Sequence, residues 1–497
     1  MTVFYGLASV PLALHFLPVE EFGLFMLVIQ ISGYFSLIDI GMAGATARLL
    51  VDHKDDPNSE SYSSLISTGF VVFALQAVLI LVAGLLASSW IVAAVGVPAH
   101  LQDDATYLLR WLCVYFSVVT FLKMLNSALY AHQRLDIINA ITGLMMLFGL
   151  LVMAVVLGSG GGLRGLAFVF LLQGLLTVIL QGFACWSLRL LPERQFWRRP
   201  TFSQFMGMFR FAKDIFFLNI GSQILEASQL IIITRTMGLT AAAMWSVGTK
   251  IFNLLYQLIT RIEGTAIVFF SEMMVRGETE RLENRFRQIY QISAAVTVVT
   301  VAVAVAINKP FVSLWAEPTL AWPVSLSAIM ALVVFFNVVT RCHVDLILHT
   351  KKLLGLRYLY LFEAILFLGL AFWLVSDFGL YGILTAALVC VVVVRFGYTS
   401  WRIADYLRIP VSFVCWQWLR RSVFTAAALG VFVATSGMIL EHFNSPQSQL
   451  VVATLWTGIP ATLVLFSIAM PEETKSEVLR NLSKQTNLLL GRFRFRF

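Results

Sequence analysis

The chain has 497 residues, of which 59% are hydrophobic and 12% charged, with a formal net charge of +8 and a mean hydropathy of +0.84. No water-soluble interior hides that share of apolar side chains, so a soluble enzyme or binding module is excluded and the bilayer is the solvent for nearly everything here. The basic residues track the breaks between apolar runs and form no separate domain, so nucleic acid is not an expected partner.

Apolar runs of 18 or more residues recur along the chain, each long enough to cross roughly 30 Å of hydrocarbon as a helix. Cutting at the polar breaks predicts fourteen helices near 2–17, 22–50, 62–90, 103–131, 136–158, 163–190, 209–236, 240–272, 286–307, 323–349, 353–375, 379–405, 421–440 and 450–470. The first is short and leaves the true start codon open. With no basic region before it and no small-residue cleavage site after it, it reads as a retained helix rather than a signal peptide.

Orientation follows from Lys and Arg, because positively charged flanks stay on the cytoplasmic side. With the N-terminus inside, only Arg164, Arg235 and Lys309 fall on outer ends, and Arg110, Lys123, Lys250, Arg261, Arg341 and Arg395 fall within spans. The rest lie on inner loops, which predicts a multi-pass protein of the bacterial inner membrane with both termini cytoplasmic. Two inner segments, 191–208 and 471–497, interleave Arg with aromatics ("ERQFWRRPTF", "RFRFRF"). That composition suits an anionic leaflet, and an ordinary positive-inside flank explains it equally well.

The five cysteines, Cys113, Cys185, Cys342, Cys390 and Cys415, never approach a metal-ligand spacing and read as small apolar packers. His15, His132 and His343 read as ordinary polar contacts. No metal or cofactor is expected.

Two stretches match at an offset of 217 residues: Gly162-Leu163-Arg164-Gly165 with Gly379-Leu380-Tyr381-Gly382, and His132-Gln133-Arg134 with His349-Thr350-Lys351. A shift of six helices preserves orientation, so the expected fold is all-α, with two parallel six-helix lobes and two appended C-terminal helices. The predicted division is an N-terminal lobe over 1–190, a cytoplasmic basic and aromatic linker over 191–208, and a C-terminal lobe over 209–405. Helices thirteen and fourteen follow over 421–470, and a cytoplasmic basic tail over 471–497.

Charges inside a membrane cost about 2.5–3.5 kcal/mol each at a helix centre, so each needs protein, water or a partner. In helix eight, Lys250, Asn253, Gln257 and Arg261 fall at i, i+3, i+7 and i+11 and form one polar stripe. Helix seven carries Asn219, Ser222, Gln223, Glu226 and Gln229. Helix two offers Ser32, Ser36, Asp39 and Thr46 beside the small-residue run "GMAGATA", which permits close helix approach. Helix four offers Lys123, Asn126 and Tyr130, and helix ten Asn337 and Arg341. Under the repeat offset Lys123 falls on Thr340, next to Arg341.

Fixed positive charge in a cleft of low dielectric attracts an anion, and Arg forks suit phosphate oxygens. The expected anion site is Lys250 and Arg261, with Lys123 and Arg341 assisting, and the expected polar lining is Asn253, Gln257, Asn219, Gln223, Glu226 and Asn126. Internal pairing is the open alternative: Arg341 with Asp345 at i, i+4, Arg261 with Glu263 or Glu226, and the rest, Arg110 and Arg395 among them, snorkelling to an interface. Asp39 reads either as a cation-coupling acid or as a helix–helix anchor. Glu363 completes the embedded acids.

The segments "PVEEFGLFMLVIQISGYFSLIDIGMAGATARLL" (18–50), "MWSVGTKIFNLLYQLITRIEGTAIVFFSEM" (244–273), "FVSLWAEP" (311–318) and "FGLYGILTAALV" (378–389) resemble, in order and spacing, polysaccharide and O-antigen flippases of the multidrug/oligosaccharidyl-lipid/polysaccharide exporter superfamily. The resemblance covers nearly the whole chain. It departs from that pattern in its short first helix and in Ser271, where relatives often carry a proline slightly earlier. It implies a V-shaped pair of lobes with alternating access, outward movement of an undecaprenyl-diphosphate-linked oligosaccharide for surface polysaccharide or exopolysaccharide synthesis, and coupling to an ion gradient or the membrane potential. Membrane lipids and other polysaccharide-assembly proteins are the partners it suggests. A drug/cation antiporter of the same superfamily is the alternative, but it would want an acid-dominated cleft. A membrane glycosyltransferase or polymerase would want a sizeable outer loop, and none is long enough, so no enzymatic activity is expected.

Overall fold

The computed structural model describes residues 2–350 and 354–469, and every regular element among them is helical. Lys351 of the internal match and the predicted tail over 471–497 lie outside the described residues. The chain opens with α1 (Thr2–Phe16) and α2 (Val19–Ser32), which continues as a 3₁₀ stretch over Gly33–Asp39 and then α3 (Met42–Val51). Next come α4 (Glu60–Val95), α5 (Gln102–Phe121), α6 (Lys123–Ala131), α7 (Leu135–Gly158) and α8 (Gly162–Ser187). After these are α9 (Phe202–Met237), α10 (Leu239–Gly248), α11 (Lys250–Arg276), α12 (Thr279–Trp315) and α13 (Val324–His349). The last part holds α14 (Leu354–Phe378), α15 (Leu380–Val389), a π-helical stretch over Cys390–Phe396, α16 (Gly397–Leu407), α17 (Arg420–Leu440) and α18 (Pro446–Val464).

Each of the fourteen predicted segments is helical where described, and among the described residues eleven spans are long and apolar enough to cross a membrane. The exceptions have physical reasons. The first helix is only 15 residues long. The eighth, α11, has the length but carries the polar stripe, and the seventh, α9, also has the length.

Four predicted helices are interrupted. Helix two breaks where Ile40 (φ 53°) and Gly41 (φ 74°) turn left-handed, a conformation that is costly for a β-branched residue. Helix four breaks at Leu122, helix eight at Thr249, and helix twelve contains the π-helical stretch. Hydropathy runs through all four breaks unchanged.

The chain forms two compact units, residues 1–247 with 356–383, and residues 248–355 with 384–497. α9, α10 and most of α14 therefore cluster with the first six predicted helices, so the compact units are not bounded as the predicted lobes are. In the first unit a core runs from Met42, Ala45 and Leu50 on α3 through Tyr62 and Phe73 on α4 to Met124 and Leu129 on α6. The linker over 191–208 is sewn to the start of α4: Ser63 Oγ donates to the Phe196 carbonyl at 2.6 Å, and the Thr201 N–H donates to Thr68 Oγ1 at 3.1 Å. In the second unit α17 and α18 pack on α12 through Val299, Ala306, Leu429, Leu440, Ala453 and Ala461. Alanines there let backbones approach, which is how helices gain contact in a solvent as apolar as their side chains.

Gly162 (φ 53°) and Gly379 (φ 55°), the matched glycines of the internal repeat, share one left-handed backbone conformation at the start of α8 and immediately before α15. Residues with a β-carbon rarely adopt it, so the matched pattern carries a conformational meaning beyond composition.

Candidate functional site

The break before α11 is built by packing. Trp322 lies against Gly248 where any β-carbon would collide with the indole, and Asn308 Nδ2 donates to the Gly248 carbonyl at 3.3 Å and to Ser327 Oγ at 3.1 Å. α11 then starts at Lys250, in the first turn of a 27-residue helix, where the dipole favours negative charge. Lys250 is half-buried, and Asn253, Gln257 and Arg261 are exposed. No side chain of these four has a hydrogen bond or ion pair with a described residue. The pairing of Arg261 with Glu263 does not form. A spacing of two residues turns Glu263 to another face of α11, where it is 3% exposed and its Oε1 accepts a hydrogen bond from Cys342 Sγ at 3.0 Å.

Lys123 and Arg341, expected to assist the anion site, each contact a carboxylate. Lys123 Nζ lies 3.3 Å from Asp39 Oδ2, with both side chains largely buried. The pair joins two helix breaks: Asp39 closes the 3₁₀ stretch, and its Oδ1 accepts from the Ala43 N–H at 3.2 Å, while Lys123 opens α6 after the Leu122 break. Gln76 Nε2 donates to the Asp39 carbonyl at 3.1 Å, and Ser127 Oγ on α6 to the Ala43 carbonyl at 3.3 Å. Asp39 thus bridges two helix breaks, and the opposite charges sequester one another because neither is fully hydrated there. Arg341 Nε contacts Asp345 Oδ1 at 3.0 Å and Oδ2 at 3.1 Å, so the i, i+4 alternative is the one that forms. Arg110 Nε donates to Ser88 Oγ at 3.0 Å and Arg395 Nη1 to Asn337 Oδ1 at 2.7 Å. Both sit within the protein's own network.

Along α9, Asn219 and Glu226 are exposed, whereas Gln223 packs over Gly33 and Gln30 Nε2 donates to the Glu226 carbonyl at 3.1 Å. Part of this stripe therefore faces α2 and its 3₁₀ extension inside the first unit. Asn126 is half-buried with no side-chain partner among the described residues. All five cysteines are free thiols, four of them buried. Among the described residues no group of His, Cys, Asp and Glu is arranged to hold a metal. His132 contacts the carbonyls of Ala128 and Lys54, and His343 Nδ1 bonds Thr399 Oγ1 at 3.1 Å. The Cys342–Glu263 contact escaped the sequence reading. Its only signal was a carboxylate on the apolar side of α11.

The fold is shared with transporters of the MOP superfamily. An inward-facing multidrug resistance MATE family transporter matches with a TM-score of 0.72 at 14% identity, over 82% of this chain and 96% of that one. The lipid II flippase MurJ, in an inward closed conformation, matches with a TM-score of 0.71 at 12% identity, over 93% of this chain and 96% of that one. A MOP superfamily transporter from Pyrococcus furiosus, described as having a binding pocket of reverse polarity, matches with a TM-score of 0.60 at 14% identity, over 82% and 93% of the two chains. No curated protein sequence matches the chain. The model of the family described as polysaccharide biosynthesis protein matches residues 15–316, which hold both the Lys123–Asp39 anchor and the whole α11 stripe. On that match the chain belongs to the polysaccharide biosynthesis protein family.

Proposed function

We propose that the chain is an alternating-access flippase that moves an undecaprenyl-diphosphate-linked oligosaccharide from the inner to the outer leaflet for surface polysaccharide synthesis, without enzymatic chemistry of its own. In this reading it sits in the bacterial inner membrane with both termini cytoplasmic, and the repeated six-helix segments over 1–190 and 209–405 are its two halves. The family's place in polysaccharide biosynthesis supports the glycan, and the likeness to a protein named as a lipid II flippase supports a lipid-linked cargo. The multidrug transporters share the fold equally, so the choice rests on charge.

The observation that carries the reading is the α11 stripe. Lys250 and Arg261 have no carboxylate partner among the described residues, and Lys250 adds its charge to that of a helix N-terminus. A drug cation would be repelled there, whereas a diphosphate gains charge-assisted hydrogen bonds. Asn253 and Gln257, between the two cations, supply neutral donors for sugar hydroxyls. Lys123 and Arg341, each held by a carboxylate, position helices rather than cargo.

Each charge-assisted contact is worth about 1.5–3 kcal/mol, so losing two weakens head-group binding by about a hundredfold or more. The variant Lys250→Ala with Arg261→Ala is expected to insert normally, to leave lipid-linked oligosaccharide on the inner leaflet and to deplete surface glycan. Normal surface glycan in that variant refutes the assignment.

A further inference from the structure

We propose that Glu263 is a proton-binding site, distinct from the cationic stripe on the same helix. The site itself stands on geometry, and only the consequence for transport rests on the flippase reading.

Glu263 is 3% exposed, and α11 packs here on α12 and α13. Its Oε1 accepts a hydrogen bond from the thiol of Cys342 at 3.0 Å, the Ser293 hydroxyl of α12 also lies within reach of the carboxyl, and its Oε2 has no hydrogen-bond partner among the described residues. A thiol is a weak donor and does little to offset a full negative charge. The other groups acting on this carboxyl are Ser293 from α12, and Asp345 and Arg341 from α13. Arg341 contacts both oxygens of Asp345, at 3.0 and 3.1 Å. With Arg341 so placed, Glu263 lacks a countercharge of its own. Two carboxylates and one guanidinium sum to −1, and one bound proton brings the group to zero.

Two neighbouring buried groups share the pattern. Tyr290 of α12 and His343 of α13 stack with ring centroids 4.9 Å apart, and the Tyr290 hydroxyl and His343 Nε2 also lack hydrogen-bond partners among the described residues. Polar atoms of α11, α12 and α13 thus stand unsatisfied within the second unit, where the interiors of native proteins are normally satisfied. A metal cation would need several hard ligands, and no such cluster exists among the described residues. A proton needs one oxygen. It comes from water and forms an O–H bond on Glu263, and no other bond changes.

A purely structural carboxyl would hold its proton permanently, so the deciding property is whether the proton leaves. Infrared difference spectra of the intact protein in lipid nanodiscs, taken between roughly pH 5 and 9, read this directly. The expected result is a protonated-carboxyl stretch that disappears as pH rises, is missing from Glu263→Gln, and is lost at lower pH in Asp345→Asn, where Arg341 is freed to neutralise Glu263. Carbonyl-isotope labelling of all glutamates in the wild-type chain should shift the same band, which covers the case in which a variant does not fold. A difference spectrum unchanged in Glu263→Gln, a band unmoved by the glutamate label, or a band abolished by sodium chloride at fixed pH overturns the proposal. In proteoliposomes with a lipid-linked oligosaccharide, an imposed pH gradient should speed wild-type translocation and leave Glu263→Gln unaffected. Equal stimulation of both overturns the coupling role. Absence of translocation in the wild type would instead count against the flippase reading and leave the infrared result standing.

Discussion

The Lys123–Asp39 pair ties two charged side chains of the first unit to one another. Removing one partner strands the other charge where water reaches it only partly, with side chains 26% and 16% exposed. Breaking a well-buried pair costs 3–5 kcal/mol, so this partly hydrated one should cost about 1–3 kcal/mol. Asp39→Asn and Lys123→Met are each expected to lower the unfolding temperature in detergent by that equivalent, and the double variant to lower it by less than the two costs added. Additive losses would mean that the two groups do not interact. A single sequence reveals part of this chemistry. The Arg341–Asp345 pair was readable because one helical turn separates its members. Lys123 and Asp39 lie far apart along the chain, and only the meeting of two broken helices brings them together. Arg261 and Glu263 are close in sequence, but helical geometry turns them apart.

At the level of elements, spans were legible and interruptions were not, because hydropathy records what a stretch is made of and a break depends on what packs against it. The Thr249 break illustrates this. Its cause is Trp322, Asn308 and Ser327 from elsewhere in the second unit, converging on the one residue of α10 without a side chain. Gly248→Ala must push the Trp322 indole aside, and overpacking of this kind costs about 1–3 kcal/mol. Its unfolding temperature should fall accordingly, and Trp322→Leu in the same chain should recover part of the loss by making room. If Gly248→Ala proves neutral, the indole does not set the break and the position of Lys250 at a helix start has another cause. The residues that make α11 unlike a lipid-facing helix are those the transport reading needs.

For the whole molecule, the alternation of basic and neutral loops makes a claim about sidedness that helix packing alone does not make. Arg194, Arg198 and Arg199 are exposed on a linker fastened to α4 by Ser63 and Thr68. Each basic residue near an anionic inner surface is worth about 1 kcal/mol, so this segment resists translocation. Asn444, between α17 and α18, sits on a short exposed turn without Lys or Arg. A membrane-impermeant maleimide applied to intact cells should therefore label Asn444→Cys and spare Gln195→Cys, which should react only after permeabilisation. The native thiols give little background, since four of the five are buried. Labelling of Gln195→Cys in intact cells would invert the topology. It would also reverse the direction of transport proposed above, because a cargo assembled on the cytoplasmic side would then meet the opposite end of α11.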